Sequence, residues 1–312
     1  MSDIITITPN PAVDVSTTVE TIVPVAKLRG STQRRDPGGG GINVARVITR
    51  LGGDVTALYP VGGPTGVLLK QLVENEGVTS RTWTTAEDTR EDFFVQERST
   101  GQPYRFILPG PTLSEAEWQA GLALVSALDP FPRFVIGSGS LPRGVPADYY
   151  ARVSAIARAR GAQFILDTSG PALAAAVASG VDLIKPSLRE MHELVGGELP
   201  DATAWEAAAR MLVTTGKARI VALTMGHLGA LVVTAERVLR AQPLRMVPIN
   251  AVGAGDSFLG ALVAKLAANA SLDEAFRFAV AAGAAALLRT GTALSDPADI
   301  TRLLPDVQLQ TA

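Results

Sequence analysis

The stretch Gly253-Ala254-Gly255-Asp256, followed by the apolar run from Ser257 to Leu262, places two kinds of chemistry side by side. Small residues let consecutive backbone N–H groups point into one concavity. The apolar run reads as a helix whose positive end faces that concavity, which suits phosphate. Asp256 then puts an anion in its mouth. A carboxylate there weakens resting anion binding, so it makes sense as a proton acceptor for a hydroxyl, while the N–H groups hold the charge developing on a transferring phosphoryl group. It reads equally well as a helix N-cap, because Asp is a preferred capping residue.

A second glycine cluster, Gly38 to Gly41, precedes a helix predicted to end at Gly52. On that helix Val44, Ile48 and Leu51 form an apolar stripe, with Asn43, Arg46 and Arg50 on the other side. The dinucleotide fingerprint fails here, since Val44 stands where the third glycine of G-x-G-x-x-G belongs, and a dehydrogenase is disfavoured. The segment GGPTGVLLK likewise lacks the G-K-[ST] ending of a Walker A loop. What remains is a bare backbone surface open to a small polyhydroxy ligand, with Asn43 able to donate and accept, or simply a tight strand–helix turn. Asp14, where the first strand leaves the core, could accept hydrogen bonds from adjacent sugar hydroxyls. Arg90, Arg105, Lys27 and Arg29 gather cations around two neighbouring segments, able to neutralise a phosphate or merely to solubilise an edge. Thr224, Gly226 and Gly229 lie in a loop that invites close backbone approach.

Composition narrows the alternatives. The chain has 312 residues, 47% of them hydrophobic, enough for a large core. Its 28 basic and 30 acidic side chains leave a formal charge of −2, which gives no electrostatic case for nucleic acid or an anionic membrane. With no cysteine, thiolate chemistry and disulfides are excluded. His192 and His227 are too far apart in sequence for a local metal pattern and read as surface or loop residues. The first residues lack a basic region followed by an apolar one, and no apolar run reaches the roughly 20 residues a bilayer requires, so a cytoplasmic protein is expected.

Short β-branched runs (IITIT, VTALYPV, FVIGS, FILDTS, DLIKPS, RIVALTM) alternate with longer Ala/Leu-rich stretches, the rhythm of a mostly parallel sheet covered by helices. Residues 12–36 and 90–108 break it with period-two alternation, the second turning back at Ser99 to Gln102. They predict a small antiparallel sheet, inserted discontinuously as a lid or a dimerisation surface, around a core of residues 1–11, 37–89 and 109–312.

Taken together, PGGGGINVAR, SGSLPRG and NAVGAGDSFLGAL resemble the two signature regions and the connecting motif of the ribokinase-like PfkB sugar kinases, end to end from TPNPAVD to AAGAAALLRTGTA. The resemblance is closest to their 6-phosphofructokinase branch, with tagatose-6-phosphate kinase and 1-phosphofructokinase as near relatives. It implies a Rossmann-like α/β domain with a β-sheet lid and a homodimer through the lid. It also implies ATP-dependent phosphorylation of a ketohexose phosphate, most simply fructose 6-phosphate at its C1 hydroxyl. By the same resemblance Asp256 is the catalytic base, with Gly253, Ala254 and Gly255 completing the anion hole. Asp14, Gly39 and Asn43 hold the sugar, and Arg90, Arg105 and Lys27 hold its existing phosphate. Thr224, Gly226 and Gly229 lie under ATP. The family motif N-x-x-E departs here: Glu190 is kept, able to order water around Mg²⁺, but Ser187 replaces the asparagine on the nucleotide side. That departure leaves a weakly catalytic or non-catalytic sugar-phosphate sensor as an alternative.

Overall fold

The computed structural model describes residues 2–249, 251–289 and 291–311; Asn250, which opens one signature stretch, and Thr290, in the stretch where the resemblance ends, lie outside them. The strands are β1 (Ile4–Ile7), β2 (Ala12–Val19), β3 (Arg34–Gly38), β4 (Val55–Val61), β5 (Thr79–Thr84), β6 (Arg90–Glu97), β7 (Pro103–Phe106), β8 (Phe134–Ser138), β9 (Gln163–Asp167), β10 (Val181–Ile184), β11 (Ala218–Thr224), β12 (Ala230–Val233), β13 (Val238–Ala241) and β14 (Leu309–Thr311). Ten of them form one sheet in the order β14-β13-β12-β11-β10-β9-β8-β1-β4-β5, parallel from β11 to β5 and continued at the other edge by the antiparallel strands β12, β13 and β14.

Alternation along the strands explains why both faces are covered. Ile5, Ile7, Leu58 and Val135 pack into one apolar cluster with helices such as Tyr149–Ala159 and Gly170–Ser179. Their neighbours Ile4, Ala57, Tyr59, Phe134 and Ile136 pack into a second with Gly40–Arg50, Ala254–Ala267 and Leu272–Ala286. Successive side chains point to opposite faces, so a strand buried at every position, such as β1, needs helices on both sides. The α/β expectation of a mostly parallel, helix-covered sheet is therefore met.

The remaining strands form the smaller sheet, β3-β2-β6-β7. It is mixed rather than antiparallel, because β2 and β6 pair in parallel from Ala12↔Arg90 to Val19↔Glu97. The reason is topological: β2 follows β1 and β6 follows β5, and both leave the large sheet from the carboxyl ends of parallel strands, so they run in the same direction. β3 extends to Gly38 and crosses the expected boundary between residues 36 and 37. Residues 20–33, read as part of an alternating segment, are an irregular exposed loop. No helix among the described residues is long and apolar enough to cross a membrane.

Candidate active site

The chemistry-bearing residues gather at the carboxyl ends of the parallel strands, where open α/β sheets bind their ligands. Helix Ala254–Ala267 begins there. Gly253 caps it with φ 75°, a left-handed conformation that costs glycine little, and the turn aims the first orphan N–H groups outward. Asp256 sits in this first turn, not at the cap, which separates it from the capping alternative.

Asp256 is joined to the second glycine cluster by one contact: Asn43 Nδ2 donates to its Oδ2 at 2.9 Å. Helix Gly40–Arg50 crosses helix Ala254–Ala267 closely enough for this because Gly260 lies at the crossing, where an added Cβ would come 2.8 Å from Val47 Cβ. Burial lifts the Asp256 carboxyl above its ordinary pKa, and the Asn43 donor, then the Lys185, Arg46 and Arg105 charges, pull it back.

Asp256 borders a cleft of about 160 Å³ with Gly40, Ser138, Asp167 and Glu190. Lys185 Nζ pairs with Asp167 Oδ1 at 3.1 Å; the lysine is buried and the carboxylate largely so. Burial pushes Asp167 up to about 6, opposed by Lys185 and reinforced by Asp256 and Glu190. Burial alone would lower Lys185, but Asp167, Asp256 and Glu190 outweigh it and hold the ammonium charged. Its Nζ lies 3.3 Å from where a Cβ on Gly255 would be, so a fixed cation stands beside the anion-attracting turn. Sequence reading passed over Lys185 and Asp167. The available signal was that the apolar strands FILD and DLIK each end in a charge.

On the other side of the same turn, Ala254 and Gly255 border a pocket of about 440 Å³ together with Thr224, Gly226 and Gly229. Phe258 and Leu287 give it apolar walls, suited to a planar base whose phosphates would point to the helix start. Ser187 is not part of that lining. It caps helix Leu188–Val195: its hydroxyl accepts from the Glu190 N–H at 3.3 Å while Glu190 Oε2 accepts from the Ser187 N–H at 2.8 Å. The hydroxyl expected beside the nucleotide is thus occupied in a capping box. Among the described residues no three His, Cys, Asp or Glu side chains are grouped to hold a metal directly. Glu190, on the border of the Asp256 cleft, still suits a hydrated Mg²⁺, which keeps most of its waters.

The small sheet supplies the remaining candidates. Cross-strand pairing sets Asp36, Asp14 and Asp92 in one row on one face of β3, β2 and β6. Gly38 makes room for the middle one: a Cβ there would lie 2.4 Å from Asp14 Oδ1. Asp14 is pushed up to about 7, first by burial and then by Asp92, with Arg105 and Arg46 opposing and Asp36 adding to the rise. Arg105 lies on β7 opposite Phe94, on the same face as this row. Arg90 is already engaged, facing Asp92 at 3.4 Å and donating to the carbonyls of Leu108 and Asn10 at 3.0 and 3.2 Å. Gly39, with φ 111°, starts helix Gly40–Arg50 beside them. Lys27 is exposed in the 20–33 loop, and no hydrogen bond or ion pair among the described residues ties it to the cleft. Arg46, read as lying on the polar side of its helix, has a side chain with 0% exposure that faces inward to the site.

The sequence profile of the pfkB family carbohydrate kinases matches residues 7–299. An ATP-dependent 6-phosphofructokinase isozyme 2 from Mycobacterium tuberculosis is 45% identical over 299 residues, covering 96% of this chain and 88% of its own. A 1-phosphofructokinase from Xanthomonas campestris is 36% identical over 285 residues, covering 89% and 88%. The crystal structure of phosphofructokinase-2 from Escherichia coli in complex with fructose-6-phosphate superposes with a TM-score of 0.91 at 39% identity, covering 98% of this chain and 99% of that one. The chain belongs to the pfkB family of carbohydrate kinases.

Proposed function

We propose that this kinase transfers the γ-phosphoryl group of ATP to the C1 hydroxyl of fructose 6-phosphate, giving fructose 1,6-bisphosphate and ADP. The observation that carries the reading is Asp256 in the first turn of a helix whose N–H groups open between an acidic cleft and an apolar pocket. Asp256 takes the C1–OH proton as the oxygen attacks the γ-phosphorus and the bond to the β,γ-bridging oxygen breaks. The N–H groups of Ala254, Gly255 and Asp256, with Lys185 beside them, hold the charge on the transferring group. Asp14, Gly39 and Asn43 orient the sugar, and Arg105 with Arg90 faces its phosphate. Thr224, Gly226 and Gly229 bed the nucleotide. Mg²⁺, held through water by Glu190, would neutralise the nucleotide phosphates.

The small sheet acts as a lid over the acceptor, and its outer face joins two copies into a dimer. On that face Phe93 and Phe106 stand opposite each other, 37% and 52% exposed, an apolar patch on the side away from Asp14. Phe106→Asp is expected to shift the sedimentation profile to monomer; an unchanged dimer would refute the placement.

A coupled assay with MgATP and a panel of fructose 6-phosphate, tagatose 6-phosphate and fructose 1-phosphate tests the activity. The highest kcat/KM is expected for fructose 6-phosphate. A preference for another acceptor would reassign the substrate, and no turnover with any would leave the sensor reading.

A further inference from the structure

Arg46 lies outside the residues assigned to substrates, yet its environment is built with care. The side chain is completely buried. Nη1 donates to Asn43 Oδ1 and to the Pro37 carbonyl, both at 3.1 Å, and Nη2 donates to Glu76 Oε1 at 2.9 Å and lies 3.8 Å from Asp36 Oδ1. Glu76 is shared with Arg50 at 2.8 Å. A buried guanidinium without its partners would be strongly destabilising, so these contacts define one arrangement.

An amide has two ends, and the one that meets Asp256 matters. Asn43 presents its NH₂ to Asp256 Oδ2 at 2.9 Å because its carbonyl oxygen is held by Arg46. With the amide reversed, two oxygens would face each other. We propose that Arg46 is a positioning residue for phosphoryl transfer: anchored by Glu76, it locks the Asn43 amide so that the NH₂ holds one oxygen of Asp256 and leaves the other for the acceptor hydroxyl. The inference rests on the reading of Asp256 as base.

The charged groups around Asp256 are Lys185 from the end of β10, Arg46 from helix Gly40–Arg50 and Arg105 from β7, with Asp167 from β9 and Glu190 from helix Leu188–Val195 on the opposing side. Arg46 therefore acts on Asp256 by two routes of the same sign, through the amide and through its own charge. Losing it raises the pH at which the base ionises. Removing the Glu76 charge, while Arg46 stays in place beside Asp36, leaves its cation less compensated toward Asp256 and lowers that pH.

The test compares the acid limb of kcat/KM for the acceptor in wild type, Arg46→Met, Arg46→Lys and Glu76→Gln. Substrate phosphates titrate identically in all four and cancel from the comparison. Arg46→Met is expected to move the limb up by about one pH unit, an approximately tenfold loss on the acid side that recovers at alkaline pH. Arg46→Lys, which keeps a charge and a donor, restores most of it, and Glu76→Gln moves the limb down by about half a unit. A purely structural role would lower activity evenly across pH. Glu76 is partly exposed, so Glu76→Gln reports even where Arg46→Met fails to fold. A Glu76→Gln limb that coincides with wild type overturns the inference. Asp256→Asn, run alongside, keeps the two claims apart: near wild-type turnover there would sink the base assignment itself.

Discussion

Asp256 and Asp14 are both carboxylates lifted above their ordinary pKa by burial, but their surroundings then diverge. Around Asp256 the next influences are an amide donor and a buried lysine, and they draw it back towards the ionised form. Around Asp14 the next influence is another carboxylate, Asp92, and the row continues to Asp36. The first setting keeps a base available for a proton. The second, among the described residues, gives Asp14 charged neighbours but no hydrogen-bond donor in contact, so hydroxyl groups of a ligand are partners that would complete it. The difference supports the proposal that chemistry lies at the helix start and recognition on the small sheet.

The largest effect that could break this division is at the base. Asp256→Asn is expected to lower kcat by about 10² to 10⁴ while leaving nucleotide affinity nearly unchanged, measured by coupled assay and calorimetry. Next comes Arg105→Ala, which removes the cation facing the Asp14 row and should weaken acceptor binding by roughly 1.5 to 3 kcal/mol with little change for ATP. Unchanged acceptor affinity would remove Arg105 from the recognition face.

Smaller effects sharpen the comparison. Asp14 has a folded pKa of about 7, raised above the unfolded carboxylate value, so the folded state holds its proton more tightly. Its contribution favours folding at low pH and is lost as pH rises from the unfolded value through about 7. Asp14→Asn should therefore raise the ligand-free Tm by a few degrees at pH 8 and by less at pH 5. An equal change at both would mean that the row is not under electrostatic strain. Ser187→Asn comes last. Both residues cap helices well, so Tm should hold within about 1 °C. The free Mg²⁺ needed for half-maximal rate should fall, because the longer amide reaches further toward the cleft; coincident Mg²⁺ titrations would exclude position 187 from metal handling.

The large sheet was legible because each inner strand is an apolar run bounded by turn residues, and burial on both faces produces that pattern locally. The small sheet was legible as alternation but not in direction, since parallel pairing of β2 with β6 depends on where two distant segments leave the core. Asp256 and the two glycine clusters carried local signals. Lys185, Asp167 and Arg46 did not: the first two are paired only by tertiary structure, Arg46 is anchored by Glu76 on a distant segment, and a charged residue on a helix is ordinarily solvated. Ser187 shows the converse, a residue read through its position in a motif that is engaged by its own backbone turn.

The division between Asp256 and Asp14 is tested most directly by single-turnover phosphoryl transfer in Asp256→Asn and Asp14→Asn, with MgATP and fructose 6-phosphate both saturating so that binding losses disappear. Transfer is expected to be slowed at least about 100-fold in Asp256→Asn and to stay within about tenfold of wild type in Asp14→Asn. Equal slowing in both, or near wild-type transfer in Asp256→Asn, would contradict it.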